Sequence, residues 1–144
     1  MDLNLNSNSI IFFDTAPFIY YFEDHPDYGQ IIDQLLFSIN ENGSSFVTSY
    51  ITFIELITKP KKLGREDLVA KYREFFTNSD SLSLYPLNLI VSEKTADIRA
   101  NYGFKTPDAI QIATALICGA DLIITNDKEW KKFKEIPVKI LSDL

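Results

Sequence analysis

The sequence predicts an α/β fold with about five strands in a mainly parallel sheet that is covered on both faces. Short apolar runs such as Ile10–Phe13 and Leu122–Thr125 have the composition of buried parallel strands. Longer segments with apolar residues at helical spacing lie between these runs, as in residues 27–42. Strands that alternate with helices form βαβ units, and their strands run parallel.

The same two patterns predict the elements in order. Pro60, Gly103 and Gly119 are expected to end three of the helices. Strands are predicted at residues 10–13, 45–48, 82–87, 122–125 and 138–141. Helices are predicted at residues 27–42, 50–58, 66–77, 92–102 and 107–118, with short helices near Pro17 and at residues 128–133.

The length of 144 residues fits one domain, which we place at residues 10–144. Residues 1–9 are polar and rich in Asn and Ser, so we expect a flexible N-terminal segment. The single cysteine, Cys118, excludes an intrachain disulfide and is expected in the core. The single histidine, His25, lies in a predicted turn. Hydrolases that need a catalytic histidine, and zinc sites built from Cys and His, are therefore not expected.

The net charge of −6 argues against a protein that holds nucleic acids or anionic membranes by bulk charge. No apolar run approaches the length of a membrane span, so we predict a cytoplasmic protein without membrane contact. The basic residues are unevenly distributed. Two clusters stand out, Lys59, Lys61, Lys62 and Arg65 in the first and Lys128, Lys131, Lys132 and Lys134 in the second.

Two aspartates directly follow predicted strands. Asp14 follows the first strand, and Asp127 follows the fourth. Ligand sites of parallel sheets lie beyond the carboxyl ends of the strands, so both carboxylates are expected at that edge. Each has an alternative interpretation, since either aspartate could serve only as the N-cap of a short helix.

Two further acids lie on predicted helices that are largely apolar. Glu55 has only apolar neighbours, and a carboxylate there needs a partner or a metal, although Thr52 and Glu55 also fit a capping box. Asp108 falls in the first turn of its helix, after Thr106 as N-cap and Pro107. The helix dipole alone would favour an anion there, but the helix that follows is apolar nearly all round.

Four acids near one end of a sheet repel one another, and a hard cation removes that cost. Oxygen ligands completed by water suit Mg²⁺ or Mn²⁺. Such a site activates water and stabilises charge on a phosphodiester. The sequence therefore predicts a catalytic metal site made by four carboxylates, Asp14, Glu55, Asp108 and Asp127.

Several motifs in this order resemble those of PIN-domain proteins, and most closely VapC-like toxins of bacterial toxin–antitoxin pairs. They are Phe-Phe-Asp14-Thr-Ala, Thr52-Phe-Ile-Glu55, Thr106-Pro-Asp108-Ala-Ile-Gln-Ile-Ala-Thr-Ala and Leu122-Ile-Ile-Thr-Asn-Asp127. The resemblance extends from about residue 10 to residue 141, nearly the whole chain. It implies a three-layer α/β/α sandwich and Mg²⁺- or Mn²⁺-dependent cleavage of RNA by a single nuclease domain.

In the family pattern, Asp14 and Asp108 are the core metal ligands, and Glu55 and Asp127 complete the quartet. The resemblance also implies a homodimer and an antitoxin partner. RNA contacts are expected from the basic residues nearest the motifs, Lys59, Lys61, Lys62, Lys105 and Lys128.

Three other charged residues are expected outside the quartet. Asp97 is expected in solvent and Asp121 at the opposite end of the sheet, whereas Arg99 could contact the site or lie on a surface helix. Haloacid-dehalogenase-like phosphatases and receiver domains need acids that Ala16 and Thr15 do not supply. A non-catalytic protein- or RNA-binding module, with structural acids and an interface of residues 18–22, is the remaining alternative.

Overall fold

The computed structural model describes residues 6–144, so much of the predicted N-terminal segment lies outside the described residues. The described end of that segment packs against the start of the second strand. The Ser9 N–H donates to Ser44 Oγ at 3.0 Å, and the Ser9 carbonyl accepts from the Ser45 N–H at 2.9 Å. The domain bounds predicted from the sequence stay a prediction.

Five parallel strands form one sheet in the order β3-β2-β1-β4-β5. The chain moves outward from β1 through β2 to β3, and then returns to the other side of β1 to add β4 and β5. The order of strands therefore reverses between β1 and β4, and in such sheets ligands bind at that point. The strands are β1 Ile10–Phe13, β2 Ser45–Ser49, β3 Leu82–Tyr85, β4 Leu122–Thr125 and β5 Val138–Ile140.

Helices connect the strands. Within residues 6–144, none is long and apolar enough to cross a membrane. The helices are α1 Thr15–Phe22, α2 Gly29–Glu41, α3 Tyr50–Lys62, α4 Glu66–Asn78, α5 Leu89–Tyr102 and α6 Thr106–Ile117, with short 3₁₀ helices at Lys128–Lys132 and Leu141–Asp143.

Two apolar clusters on opposite faces of the sheet make the core. Alternate side chains of β1 enter different clusters, Ile11 and Phe13 on one face and Phe12 on the other. The first cluster includes Phe18 of α1 and side chains of α2, α3 and α4, while the second includes Ile112 of α6 and side chains of α5. This arrangement confirms the three-layer α/β/α sandwich that the resemblance implied.

Three predicted helix ends were wrong. Pro60 does not end α3, which continues to Lys62, and the buried proline occupies its last turn. Helix α5 begins three residues earlier than predicted, because the Asn88 side chain accepts from the Val91 N–H at 2.9 Å and caps it. Lys105, not Thr106, is the N-cap of α6, so Thr106 already belongs to the helix.

Candidate active site

Asp14 lies at the carboxyl end of β1, where it also caps α1. Its Oδ1 accepts from the Thr15 N–H at 2.7 Å, and its Oδ2 accepts from the Thr125 hydroxyl at 2.7 Å. The Gln111 amide donates to Oδ1 from 3.3 Å. Asp14 is therefore the N-cap of α1, as its alternative interpretation predicted. The same residue also lies at the strand-order reversal, between β1 and β4.

The Asp14 carboxyl is held in a poorly solvated position. Burial raises its pKa to about 6, although the Thr125 and Thr15 hydrogen bonds act in the opposite direction. The charges of Asp108 and Glu55 contribute to the same rise. Three acids of the predicted quartet therefore share one electrostatic neighbourhood.

Glu55 lies on α3 in surroundings wetter than the sequence suggested. Ile54 beside it is 55% exposed, so the apolar neighbours of Glu55 do not keep this part of the helix out of water. The capping box was wrong too, since Ser49 caps α3 and Thr52 lies within it. Partial burial raises the pKa of Glu55, as does the charge of Asp108, while the Thr15 hydroxyl lowers it.

Glu55 also borders an apolar cavity of about 320 Å³ between α1, α3 and α4. Two charged residues, Glu23 and Lys59, stand at its edge and pair at 3.9 Å. The remaining lining is mostly apolar, from Ile19, Phe22, Leu56, Pro60, Leu63, Leu68 and Tyr72.

Asp108 stands half-buried in the first turn of α6, as the sequence predicted. Burial is the main cause of its raised pKa, and the charges of Asp127 and Glu129 add to it. Lys105 and the Trp130 side chain act in the opposite direction. Trp130 is fully buried, and its Nε1–H is near enough to Asp108 to lower that pKa, although it makes no hydrogen bond of good geometry to any described residue.

Asp127 is exposed and caps the 3₁₀ helix after β4, where its Oδ1 accepts from the Glu129 N–H at 3.0 Å. The cap alternative is therefore observed for this residue as well. Its own N–H donates to the Thr125 hydroxyl at 3.1 Å, the same hydroxyl that donates to Asp14. Thr125 thus joins the first and last acids of the quartet.

The buried polar groups beneath the acids were not predicted from the sequence. Gln111 of α6 is 1% exposed, and it contacts Asp14 and the hydroxyls of Thr15 and Thr52. Thr48 donates to the Phe13 carbonyl at 2.8 Å. One signal was present in the sequence, since Gln111 is a long polar side chain in an otherwise apolar helix.

The two acids expected outside the quartet, Asp97 and Asp121, lie where they were predicted. Asp121 is at the opposite end of the sheet, where it accepts from the Ile10 N–H at 2.8 Å. Asp97 is exposed on α5 and pairs with Lys94 at 3.8 Å. Arg99 is exposed on the same helix.

Of the five lysines expected to contact RNA, two adjoin the acids directly. Lys105 acts on the Asp108 carboxyl, and Lys128 follows Asp127 in sequence. Lys59 lies one turn beyond Glu55 on α3. At the end of that helix, Lys61 pairs with Glu66 at 3.6 Å, and Lys62 borders a second, more open surface depression.

The donor set fits a hard divalent cation, since every acid at this edge offers only oxygen, and the charges of Glu55, Asp108 and Asp127 each raise the pKa of another acid. Within residues 6–144, however, no three acidic, histidine or cysteine side chains already stand together as a ready-made metal group. Ion binding would therefore require the carboxylates to converge further.

The sequence model of the PIN-domain family matches residues 11–136 of the chain. The chain belongs to the PIN-domain family. Its fold is similar to those of chains in several solved toxin–antitoxin assemblies. No curated protein matches the sequence.

One of these solved structures is VapBC2 from Rickettsia felis, bound to a promoter DNA fragment. It has a TM-score of 0.73 at 16% identity, with 91% of this chain and 98% of that chain covered. DNA-bound VapBC from Salmonella typhimurium has a TM-score of 0.69 at 21% identity over 92% and 98%. A toxin–antitoxin complex from Klebsiella pneumoniae has a TM-score of 0.64 at 24% identity, with 91% of this chain and 97% of that chain covered. At these identities the likeness establishes the fold.

Proposed function

We propose that this PIN domain is a Mg²⁺- or Mn²⁺-dependent endoribonuclease and the toxin of a toxin–antitoxin pair. The observation that carries the proposal is the electrostatic coupling of three acids near the strand-order reversal, where Asp108 raises the pKa of both Asp14 and Glu55. Perturbed carboxyl groups that converge on one edge of a sheet are typical of a functional site.

The four acids Asp14, Glu55, Asp108 and Asp127 would hold the metal, with Asp14 and Asp108 as the main ligands. When bound, a divalent cation would supply charge neutralisation for the phosphodiester and a more acidic water. Asp14 is held by donors on both carboxylate oxygens, so it would serve as the fixed ligand.

Glu55 is the best candidate to orient the attacking water. It is the most solvent-accessible of the three clustered acids, so water can reach it, and its raised pKa makes it a better proton acceptor than a free carboxylate. In-line attack at phosphorus would leave a 5′-phosphate and a 3′-hydroxyl. Lys105 and Lys128, beside Asp108 and Asp127, would position the RNA phosphates.

Two protein partners belong to the proposal. The similar solved structures are toxin–antitoxin complexes, which supports an antitoxin partner for this chain. A homodimer is also proposed, and Tyr50 and Ile54, exposed apolar side chains of α3, are candidate contacts for it. Sedimentation at several protein concentrations would measure the dimer, and a concentration-independent monomer would exclude it.

The test is cleavage of a mixed RNA pool by purified protein with Mn²⁺ or with EDTA. We expect cleavage only with the metal, and a loss of at least about 100-fold in Asp108→Asn, which keeps the size of the side chain and removes its charge. Mapping the new 5′ ends would identify the RNA that is cut.

The matched control is Asp97→Asn, the same change at an exposed acid on α5, which should leave cleavage unchanged. Equal loss in both variants, or cleavage that persists in EDTA, would contradict the proposal. A folded protein without cleavage and without carboxylate-dependent Mn²⁺ affinity would instead be a binding module.

A further inference from the structure

The structure assigns Gln111 as a positioning residue that holds the three elements carrying Asp14, Glu55 and Asp108 in one arrangement. This inference rests on the proposed function. It concerns a neutral side chain outside the acidic motifs, three residues beyond Asp108 on α6 and therefore on the same helical face.

The contacts of the Gln111 amide lead to two other elements. Its Nε2 donates to Asp14 Oδ1 at 3.3 Å, to Thr15 Oγ1 at 3.2 Å and to Thr52 Oγ1 at 2.9 Å. Its Oε1 accepts from the Ser49 hydroxyl. Asp14 and Thr15 lie where β1 meets α1, whereas Ser49 and Thr52 lie at the start of α3.

The orientation of this amide is fixed by its partners. An ionised Asp14 only accepts hydrogen bonds, so the amide nitrogen must face it, which leaves the oxygen for Ser49. Three acceptors compete for the two amide hydrogens, so the amide is fully engaged on that side. A methionine of similar length would fill the same space but would leave Asp14 and the hydroxyls without this donor.

The hydroxyls carry the connection to Glu55. Thr52 is fully buried on α3, and its Oγ1 lies 3.1 Å from the Thr15 hydroxyl. Glu55 lies three residues beyond Thr52 on α3, and the Thr15 hydroxyl lowers its pKa. Buried polar groups behind a metal site orient the ligands in front of them, and their loss commonly costs ligand order before it costs the fold.

A purely structural buried amide would contribute to stability alone, so the test separates the two roles. Gln111→Met should lower Mn²⁺ affinity by about 10- to 100-fold by calorimetric titration, because Asp14 loses a fixed direction. It should also lower kcat while the KM for RNA stays within about twofold, since the lysines that meet RNA are untouched.

Two threonine variants complete the test: one is a control, and the other tests the same contact if Gln111→Met does not fold. Thr114→Val removes a buried hydroxyl of α6 whose only hydrogen-bond partner within residues 6–144 is the Ile110 carbonyl of its own helix, so Mn²⁺ affinity should not change. Thr52→Val removes the hydroxyl that accepts from Gln111, so its affinity should fall several-fold below that of Thr114→Val. If Gln111→Met does not fold, this pair decides.

The outcomes distinguish the two proposals. Mn²⁺ affinity that depends on Asp14 in the wild-type protein, but is equal in Gln111→Met and Thr114→Val, would overturn the positioning role alone. Thr52→Val equal to Thr114→Val would do the same. Wild-type protein without Asp14-dependent Mn²⁺ affinity would overturn this inference together with the proposed function.

Discussion

At the scale of single residues, Asp14 is held where its charge is costly. The Thr125 hydroxyl and the Thr15 N–H donate to the carboxylate, yet burial outweighs them and the pKa rises to about 6. The metal-free protein therefore carries a carboxyl group that folding tends to protonate. Such local instability is a common cost of a functional site.

This feature predicts how stability depends on pH. Folding raises the pKa of Asp14 from its usual 3.8 to about 6. Between these two pH values the folded protein therefore binds more protons than the unfolded chain. The contribution of Asp14 to stability is therefore lost as the pH rises through about 6. From pH 4 to pH 7 the loss is about 2 kcal/mol.

Asp14→Asn removes this titration. The free energy of unfolding in EDTA, measured for both proteins across this pH range, should show the variant gaining about 2 kcal/mol relative to wild type toward pH 7. A difference that does not vary with pH would contradict a raised pKa at Asp14.

Sequence patterns predicted some residues of this site and not others. Asp14 and Asp108 were found because an acid after a strand and an acid at a helix start have recognisable surroundings. The predicted surroundings of Glu55 were wrong, because apolar neighbours in the sequence do not reveal that Ile54 faces solvent. The contacts of Gln111 depend on three elements that meet only in the folded chain.

At the scale of elements, helix starts bring positive charge to the acids. Lys105 is the N-cap of α6, and Lys128 opens the 3₁₀ helix after β4. Lys128 directly follows Asp127, and Lys105 is close enough to Asp108 to lower its pKa. An RNA phosphate bound at the acids could therefore contact a lysine although the net charge of the protein is −6. Under the proposed function, these lysines would reconcile an acidic protein with an anionic substrate.

Reversal of these charges should weaken RNA binding and its dependence on salt. For each phosphate that a lysine no longer neutralises, the slope of log affinity against log salt should fall by about 0.7, the value for single strands. Binding of a labelled RNA to Asp108→Asn carrying Lys105→Glu or Lys128→Glu would measure this slope. Lys71→Glu in the same Asp108→Asn background, at another exposed lysine on α4, is the matched control. An identical slope in all three proteins would place both lysines off the RNA path.

Strand positions followed from the sequence more closely than helix ends did. Buried strands such as β1 and β4 are continuous apolar runs, which leave little choice of boundary. Helix ends depend on caps and packing, so Asn88 extends α5 backward and the buried Pro60 remains inside the last turn of α3. Proline in a helix loses its intrahelical N–H bond, a loss that packing offset here.

At the scale of the whole molecule, the strand order places both halves of the chain around one point. Asp14 comes from the first strand and Asp127 follows the fourth, yet β1 and β4 are neighbours in the sheet. The sequence predicted parallel strands but not their order, because any order of buried apolar strands satisfies the same pattern. Long-range pairing between the halves makes the site a property of the complete fold.

Metal binding should therefore stabilise the entire domain. An ion that binds only the folded protein, at about 100 times its Kd, adds about 2.7 kcal/mol to the free energy of unfolding. For a domain of this size, that raises the Tm by about 5 to 10 °C. Scanning calorimetry with and without Mn²⁺ would measure the shift in wild type and in Asp108→Asn. Equal shifts in the two proteins would argue against Asp108 as a ligand.

The single tryptophan of the sequence, Trp130, is fully buried in the second core cluster and lies beside Asp108. Its fluorescence is therefore an intrinsic optical probe that needs no label. Unfolding would move the emission to longer wavelengths as the indole meets water, while a paramagnetic ion held by Asp108 would quench it without that move. One emission spectrum would thus separate occupation of the acidic site from loss of the fold.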